Sequence, residues 1–228
     1  MKKLFIAGNW KSNKTNAEAQ SWTSDFFSKI QDIAEAMQTV PVVVAAPFTS
    51  LSVLKYAIGS MKVPILLGAQ NVSKFDEGAY TGEVTARMVK EVADWVIIGH
   101  SERRKYFNET DEDLKVKVQK AQAAGLKVIF CVPDDKTPVP STSDVVAYEP
   151  VWAIGTGKTD SPENANAVVS SIKQKTGATT VLYGGSVTGE NVATFVTQPA
   201  IDGVLPGGAS LDPEKFSKLV HSAIAATQ

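Results

Sequence analysis

Eight short apolar runs recur along the chain, and they constrain its fold more than any other feature. They are Leu4–Ala7, Val42–Ala46, Pro64–Gly68, Trp95–Ile98, Leu126–Val132, Val145–Tyr148, Thr180–Tyr183 and Ile201–Leu205. Each falls in the roughly 4–8-residue range of a strand and is near-continuously apolar instead of alternating. That is the pattern of strands covered on both faces in a parallel sheet.

Most of the stretches between these runs carry a helical period and a start signal of their own. Thr15 and Glu18 form a capping box ahead of Trp22, Phe26, Ile30 and Ile33. Thr110 and Asp113 open a second helix that carries Leu114, Val118 and Ala121 and stops at Gly125. Ser161-Pro162 and Asp212-Pro213 each read as an N-cap followed by a first-turn proline. Val84/Met88/Val92 and Val192/Phe195/Val196 supply two more helical stripes, and Leu51/Leu54/Ile58 a short one ending at Gly59.

Strand-then-helix alternation means right-handed βαβ units. Eight of them close most naturally into a (β/α)8 barrel, typically about 250 residues, whereas a doubly wound dinucleotide fold opens on a glycine-rich first turn. Here the first run leads into Gly8-Asn9-Trp10-Lys11, which is no such turn. The 228 residues therefore read as one barrel domain, 1–228. One unit is irregular: Val132 to Asp144 contains Pro133, Pro138 and Pro140, and each interior proline costs a helix roughly 3 kcal/mol. A short irregular strap is expected in place of the fifth crossover helix, leaving that wall of the barrel thinly covered.

Charge and cysteine content narrow the class. Twenty-three Lys plus Arg against 24 Asp plus Glu give a net charge of −1, so nothing global favours nucleic acid or an acidic membrane. The single cysteine, Cys131, cannot form an internal bridge and points to a reducing compartment. Lys2-Lys3 followed by Leu4–Ala7 is too short for a signal peptide. The uncharged stretch Gln38–Leu54 is too polar and proline-broken to span a bilayer. The default is a cytoplasmic protein.

In such a barrel the site lies at the C-terminal ends of the strands. Those positions are Asn9 and Lys11, His100-Ser101-Glu102, Glu149, Gly184-Gly185-Ser186 and Pro206-Gly207-Gly208. An imidazole at a helix N-terminus is disfavoured as a cation, so His100 is suited to donate a hydrogen bond while neutral. Its plainer reading is a packing or capping histidine. Glu149, made extended by Pro150, is placed to act as a general base; the alternative is an ion pair with Arg103 or Arg104. Lys11 read alone is a solvated lysine, and His221 a surface or interface residue. The apolar, glycine-bearing segment after Glu149 reads as a lid. Glycine pairs after the seventh and eighth runs place bare N–H groups where such barrels hold phosphate.

Several segments resemble the triosephosphate isomerase family: Gly8–Lys11, Gly99-His100-Ser101-Glu102-Arg103-Arg104, Tyr148–Lys158, Tyr183–Ser186 and Gly207-Gly208-Ala209-Ser210. The resemblance implies an isomerase that interconverts dihydroxyacetone phosphate and D-glyceraldehyde 3-phosphate, in glycolysis and gluconeogenesis, with no cofactor or metal. It implies Glu149 as the base, His100 as the group polarising the carbonyl, and Lys11 and Asn9 placing the oxygens. It further implies that Glu102 orients from behind, and that Gly155, Ser186, Gly207 and Gly208 hold the phosphate as 151–157 closes. The segment Asp76–Glu83 resembles the family's dimer loop, with Thr81 reaching a second copy's site near Asn9 and Lys11; the plainer reading is a solvated polar loop.

Two departures from the family pattern stand out. A glycine-glutamate pair and a full helix usually follow the fifth strand, where this chain has Val132-Pro133-Asp134-Asp135. Pro206 stands where a small aliphatic residue usually precedes the last glycine pair. A catalytically weak phosphate-binding barrel is accordingly the alternative function, and another phosphosugar barrel enzyme is a third.

Overall fold

Along most of the strands, alternate residues pack into two separate apolar clusters. In the computed structural model, which describes residues 3–151 and 159–228, Phe5, Ala7, Val43, Ala45, Trp95, Ile97, Ile129, Cys131, Val145, Ala147, Leu182 and Leu205 form one cluster. Their neighbours Leu4, Ile6, Val42, Val44, Val96, Ile98, Val128, Phe130, Val146 and Val181 join the helices in the other. A period of two with both sets buried is the signature of strands that fill a barrel on one side and seat helices on the other.

The strands are β1 (Phe5–Asn9), β2 (Val42–Ala46), β3 (Leu66–Ala69), β4 (Trp95–Ile98), β5 (Lys127–Val132), β6 (Val145–Tyr148), β7 (Val181–Tyr183) and β8 (Gly203–Val204). All pair in parallel and in sequence order, and β8 closes on β1 through Phe5↔Gly203 and Ile6↔Val204. Each of the eight apolar runs overlaps one strand. The eighth is cut to two residues, because a ladder cannot run on through Pro206, which has no N–H to donate.

Around the barrel lie α1 (Asn16–Lys29), α2 (Phe48–Met61), α3 (Ala86–Lys90), α4 (Ser101–Phe107), α5 (Asp111–Ala123), α6 (Pro162–Thr176), α7 (Val192–Val196) and α8 (Pro213–Ala225). Both capping boxes form as the sequence predicts, at Thr15/Glu18 and Thr110/Asp113. Ser161 and Asp212 cap α6 and α8 ahead of Pro162 and Pro213. Two expectations need correction. Helix α2 runs through Gly59 and ends where Lys62 turns left-handed (φ 54°); one glycine costs a helix only about 1 kcal/mol, too little to stop it. Helix α3 is a short turn, because Thr85 caps it from inside the expected stripe and leaves Val84 outside.

An aromatic cluster joins α1 to α8. Trp22 stacks on Phe26 with ring centres 4.8 Å apart, and both meet Phe216. Trp10 meets Trp22 edge-on from the barrel rim, so this aromatic cluster supports the loop that carries Asn9 and Lys11. Truncating one such ring to alanine costs about 3–5 kcal/mol.

Between β5 and β6 the described chain forms no helix. The strap is fixed locally instead. The Asp134 carboxylate accepts from the Lys136 and Thr137 N–H groups, both at 2.9 Å. Asp135 pairs with Lys175 and Ser171 of α6, both at 2.6 Å. Gln122 of α5 donates to the Thr142 carbonyl, and Asp144 accepts from the Val128 N–H at 2.8 Å. A cleft of about 570 Å³ remains between α5 and the strap, over Phe130.

Candidate active site

The inward alternation delivers the site residues. On β1 the inward positions run Phe5, Ala7, Asn9, and the β6 register continues Val145, Ala147, Glu149. Small alanines below leave space above, and the next inward residue in each case is polar and stands at the rim. Asn9 is 5% and Glu149 1% exposed.

These residues line a cavity of about 330 Å³ with Lys11, His100, Ser186, Gly207 and Gly208, a volume suited to a small ligand. Trp10, Val187, Leu205 and Leu211 are among its other lining residues; sequence reasoning assigned none of them a role in the site, since apolar rim residues look like core. Glu102 lies in a smaller adjoining cleft on the far side of Lys11. Thr81 is exposed and lines neither cleft. Gly155 and most of the expected lid fall outside the described residues.

His100 caps α4. Its Nδ1 accepts from the Glu102 N–H at 3.2 Å, so that nitrogen carries no proton and the ring is neutral with its hydrogen on Nε2. Nε2 then donates to Glu149 Oε1 at 3.1 Å. The other carboxylate oxygen, Oε2, accepts from the Ser101 N–H at 2.8 Å. The alternative of a Glu149–arginine pair is not realised. Arg103 pairs with Glu109 at 2.6 Å, and Arg104 pairs with Asp111 at 2.6 Å while donating to the Gly99 carbonyl at 3.0 Å. The Cys131 thiol is fully buried below the rim, with the Glu149 carboxylate near it. Burial, reinforced by that carboxylate, pushes the thiol well up.

Lys11 takes a left-handed backbone (φ 52°), uncommon for a residue with a side chain. Its N–H donates to Asn9 Oδ1 at 3.0 Å, and Gln70 donates to its carbonyl at 3.0 Å. Its ammonium pairs with Glu102 at 2.5 Å. No sequence signal marked Gln70, which reaches Lys11 from just beyond the end of β3. The lysine also lies against the eighth-strand turn, where a Cβ added to Gly207 would stand 3.3 Å from Lys11 Cε.

The glycine pairs differ in why they are glycine. A Cβ on Gly184 would come 3.1 Å from Glu149 Cγ, and one on Gly185 would overlap the Tyr183 hydroxyl at 2.2 Å. Packing demands both. A Cβ on Gly208 would meet nothing within 4 Å, so protein packing does not demand glycine there. A bare N–H in open cleft space beside a lysine suits an anionic group.

The matching family model, triosephosphate isomerase, spans residues 4–223. The chain belongs to the triosephosphate isomerase family. It is 43% identical to a triosephosphate isomerase of Synechocystis, with 97% of this chain and 99% of that protein covered. That alignment runs over 244 positions, so the relative carries residues this 228-residue chain lacks. A triosephosphate isomerase of Alkaliphilus metalliredigens is 42% identical, with 97% of this chain and all of that one covered. The crystal structure of triosephosphate isomerase from Bartonella henselae superposes with a TM-score of 0.82 at 32% identity, covering 96% of this chain and 98% of the other. Among the described residues no group of three or more His, Cys, Asp or Glu is arranged to hold a metal ion. No described helix is long and apolar enough to cross a membrane.

Proposed function

We propose that residues 1–228 act as one barrel domain that interconverts dihydroxyacetone phosphate and D-glyceraldehyde 3-phosphate, with Glu149 as the base. The observation that carries this reading is the Glu149 carboxylate, buried at the rim, held by His100 Nε2 and the Ser101 N–H, and without an arginine or lysine partner among the described residues. A base so placed meets no competing cation among those residues.

Glu149 removes a proton from the carbon beside the substrate carbonyl, and the C–H electron pair moves into an enediolate. His100 Nε2–H donates to the carbonyl oxygen, where negative charge develops, and relays a proton between the two oxygens. Glu149 then returns its proton to the neighbouring carbon. To do so it must exchange its bonds to Ser101 and His100 for contact with substrate. Lys11, braced by Glu102, offsets charge on the enediolate and phosphate, and Asn9 helps to place the oxygens. The N–H groups of Ser186, Gly207, Gly208 and, in the lid, Gly155 receive the phosphate. General acid–base groups supply about 10²–10⁴-fold, and preorganised donors much of the rest.

The active species in this reading is a homodimer in the cytoplasm. Tyr106 and Phe107 on α4 are 64% and 63% exposed, and Phe107 borders the cleft beside Lys11. The loop Asp76–Glu83 presents Tyr80 stacked on Phe75 at 4.1 Å, next to Thr81. Insertion of a second copy's Thr81 into that cleft would cover the aromatic rim and brace Asn9 and Lys11. A steady-state assay with glyceraldehyde 3-phosphate alongside sedimentation tests chemistry and assembly together. Turnover by a dimer is expected; tight binding of a phosphorylated analogue without turnover would select the phosphate-binding alternative.

A further inference from the structure

The turn after β8 is clamped at both ends but built from two glycines in the middle. On its near side, the Pro206 carbonyl accepts from the Asn9 N–H at 2.8 Å. On its far side, Ser210 donates to the Gly207 carbonyl through both its N–H (2.9 Å) and its hydroxyl (2.7 Å). The Ser210 carbonyl in turn accepts from Trp10 Nε1 at 3.1 Å. The loop Asn9–Lys11 therefore grips the turn on each flank, and Gly207 lies against the Lys11 side chain.

Two consecutive glycines have more backbone freedom to lose than any other pair. Holding them in one geometry for an anion costs conformational entropy at the moment of binding, unless a neighbour has already restricted them. Pro206 restricts the chain that enters their turn, not the glycines' own dihedrals. Its ring fixes φ near −65° and biases Leu205 to the extended region, and the residue is buried against the rim. The proline also forgoes a ladder N–H at a position whose carbonyl bonds to β1, where β8 pairs over only two register positions.

We infer that Pro206 is a positioning residue that keeps the Gly207–Gly208 turn formed against Asn9 and Lys11, and thereby sets affinity for the substrate's phosphoryl group. The inference rests on the reading above that this turn receives the phosphate. Pro206 touches no reacting atom and acts only through the turn that follows it.

The test compares Pro206→Ala and Pro206→Gly with the parent in three measurements: inhibition by inorganic phosphate, KM and kcat for D-glyceraldehyde 3-phosphate, and turnover of unphosphorylated glyceraldehyde. Pro206→Ala should weaken phosphate inhibition and raise KM by about two- to fivefold, the range over which fixing one residue with proline shifts an equilibrium. Pro206→Gly should do so further. The kcat should stay within about twofold, and glyceraldehyde turnover should not move. Unchanged phosphate affinity in both variants, or an equal loss on glyceraldehyde, overturns the inference. Gly208→Val separates the two layers, because a Cβ there meets no protein atom within 4 Å and the side chain would enter the turn's open side. If Gly208→Val abolishes phosphate inhibition while Pro206→Ala changes nothing, the role of Pro206 falls and the phosphate seat stands. If Gly208→Val leaves phosphate inhibition intact, the seat itself is wrong and the inference falls with it.

Discussion

His100 Nε2 lies 3.1 Å from Glu149 Oε1, while its Nδ1 accepts from the backbone N–H of Glu102. The second bond decides the first. A ring nitrogen that accepts cannot also carry a proton, so the hydrogen must sit on Nε2, facing the cavity. Long-range ¹H–¹⁵N NMR on the ring should report a neutral Nε2–H tautomer at neutral pH, and His100→Gln should lower kcat by about 10²-fold or more. A ring protonated on both nitrogens at neutral pH would contradict this assignment.

Cys131 is sealed below the rim. Burial, with Glu149 beside it, holds the thiol well above its ordinary range. Alkylation by iodoacetamide at pH 8 should therefore track global unfolding and not proceed as for a free thiol. The sign of the stability effect follows from the same shift. The unfolded chain releases this proton at lower pH than the native one, so the contribution is complete below about pH 8.5 and declines as pH rises beyond it. A rapid native labelling rate would show that the thiol is accessible.

Glu109 bonds both Lys117 and Arg103 at 2.6 Å, and the Lys117 and Glu109 side chains are each only 7% exposed. Burial lowers the Lys117 pKa even with Glu109 beside it. Removing Lys117 leaves Glu109 paired with Arg103 alone and takes away one of its buried hydrogen-bond donors. Lys117→Ala should cost about 1–3 kcal/mol in urea unfolding; a loss under 0.5 kcal/mol, on the order of an ordinary surface substitution, would mean that Arg103 and water satisfy Glu109 without it.

Thr81→Arg tests the assembly. A long cation in place of a small hydroxyl should weaken self-association by at least about a hundredfold, since an unpaired charge in a closed interface costs several kcal/mol. Sedimentation should then show monomer, with activity falling alongside. An unchanged dimer would place the interface elsewhere.

Much of this was legible in the sequence because the signals are local. Thr15/Glu18 and Thr110/Asp113 announce their helices within four residues, and the three prolines after Val132 rule out the fifth one. The rim residues were legible because barrel geometry assigns chemistry to strand ends, and because the segments around His100 and Glu149 resemble a known family. The inward series Phe5-Ala7-Asn9 and Val145-Ala147-Glu149 also points to the site, a period-two signal hidden where both strand faces are apolar. Long-range pairings were not legible. Nothing local says that Arg103 and Arg104 choose Glu109 and Asp111 over Glu149, that Gln70 supports Lys11, or that Cys131 lies beside Glu149. Those contacts depend on which strands become neighbours on closure. The length of α2 escaped for a different reason, since Gly59 weakens a helix without ending it.

In the proposed mechanism the buried Glu149 carboxylate at the end of β6, paired with no arginine or lysine among the described residues, moves the substrate proton. The most direct measurement is the kcat of Glu149→Gln for glyceraldehyde 3-phosphate, with far-UV circular dichroism confirming the fold. The side chain keeps its size and its place beside His100 and Ser101 but can no longer take a proton. A fall in kcat of at least about 10²-fold is expected; a kcat within about tenfold of the parent would assign the base to another residue.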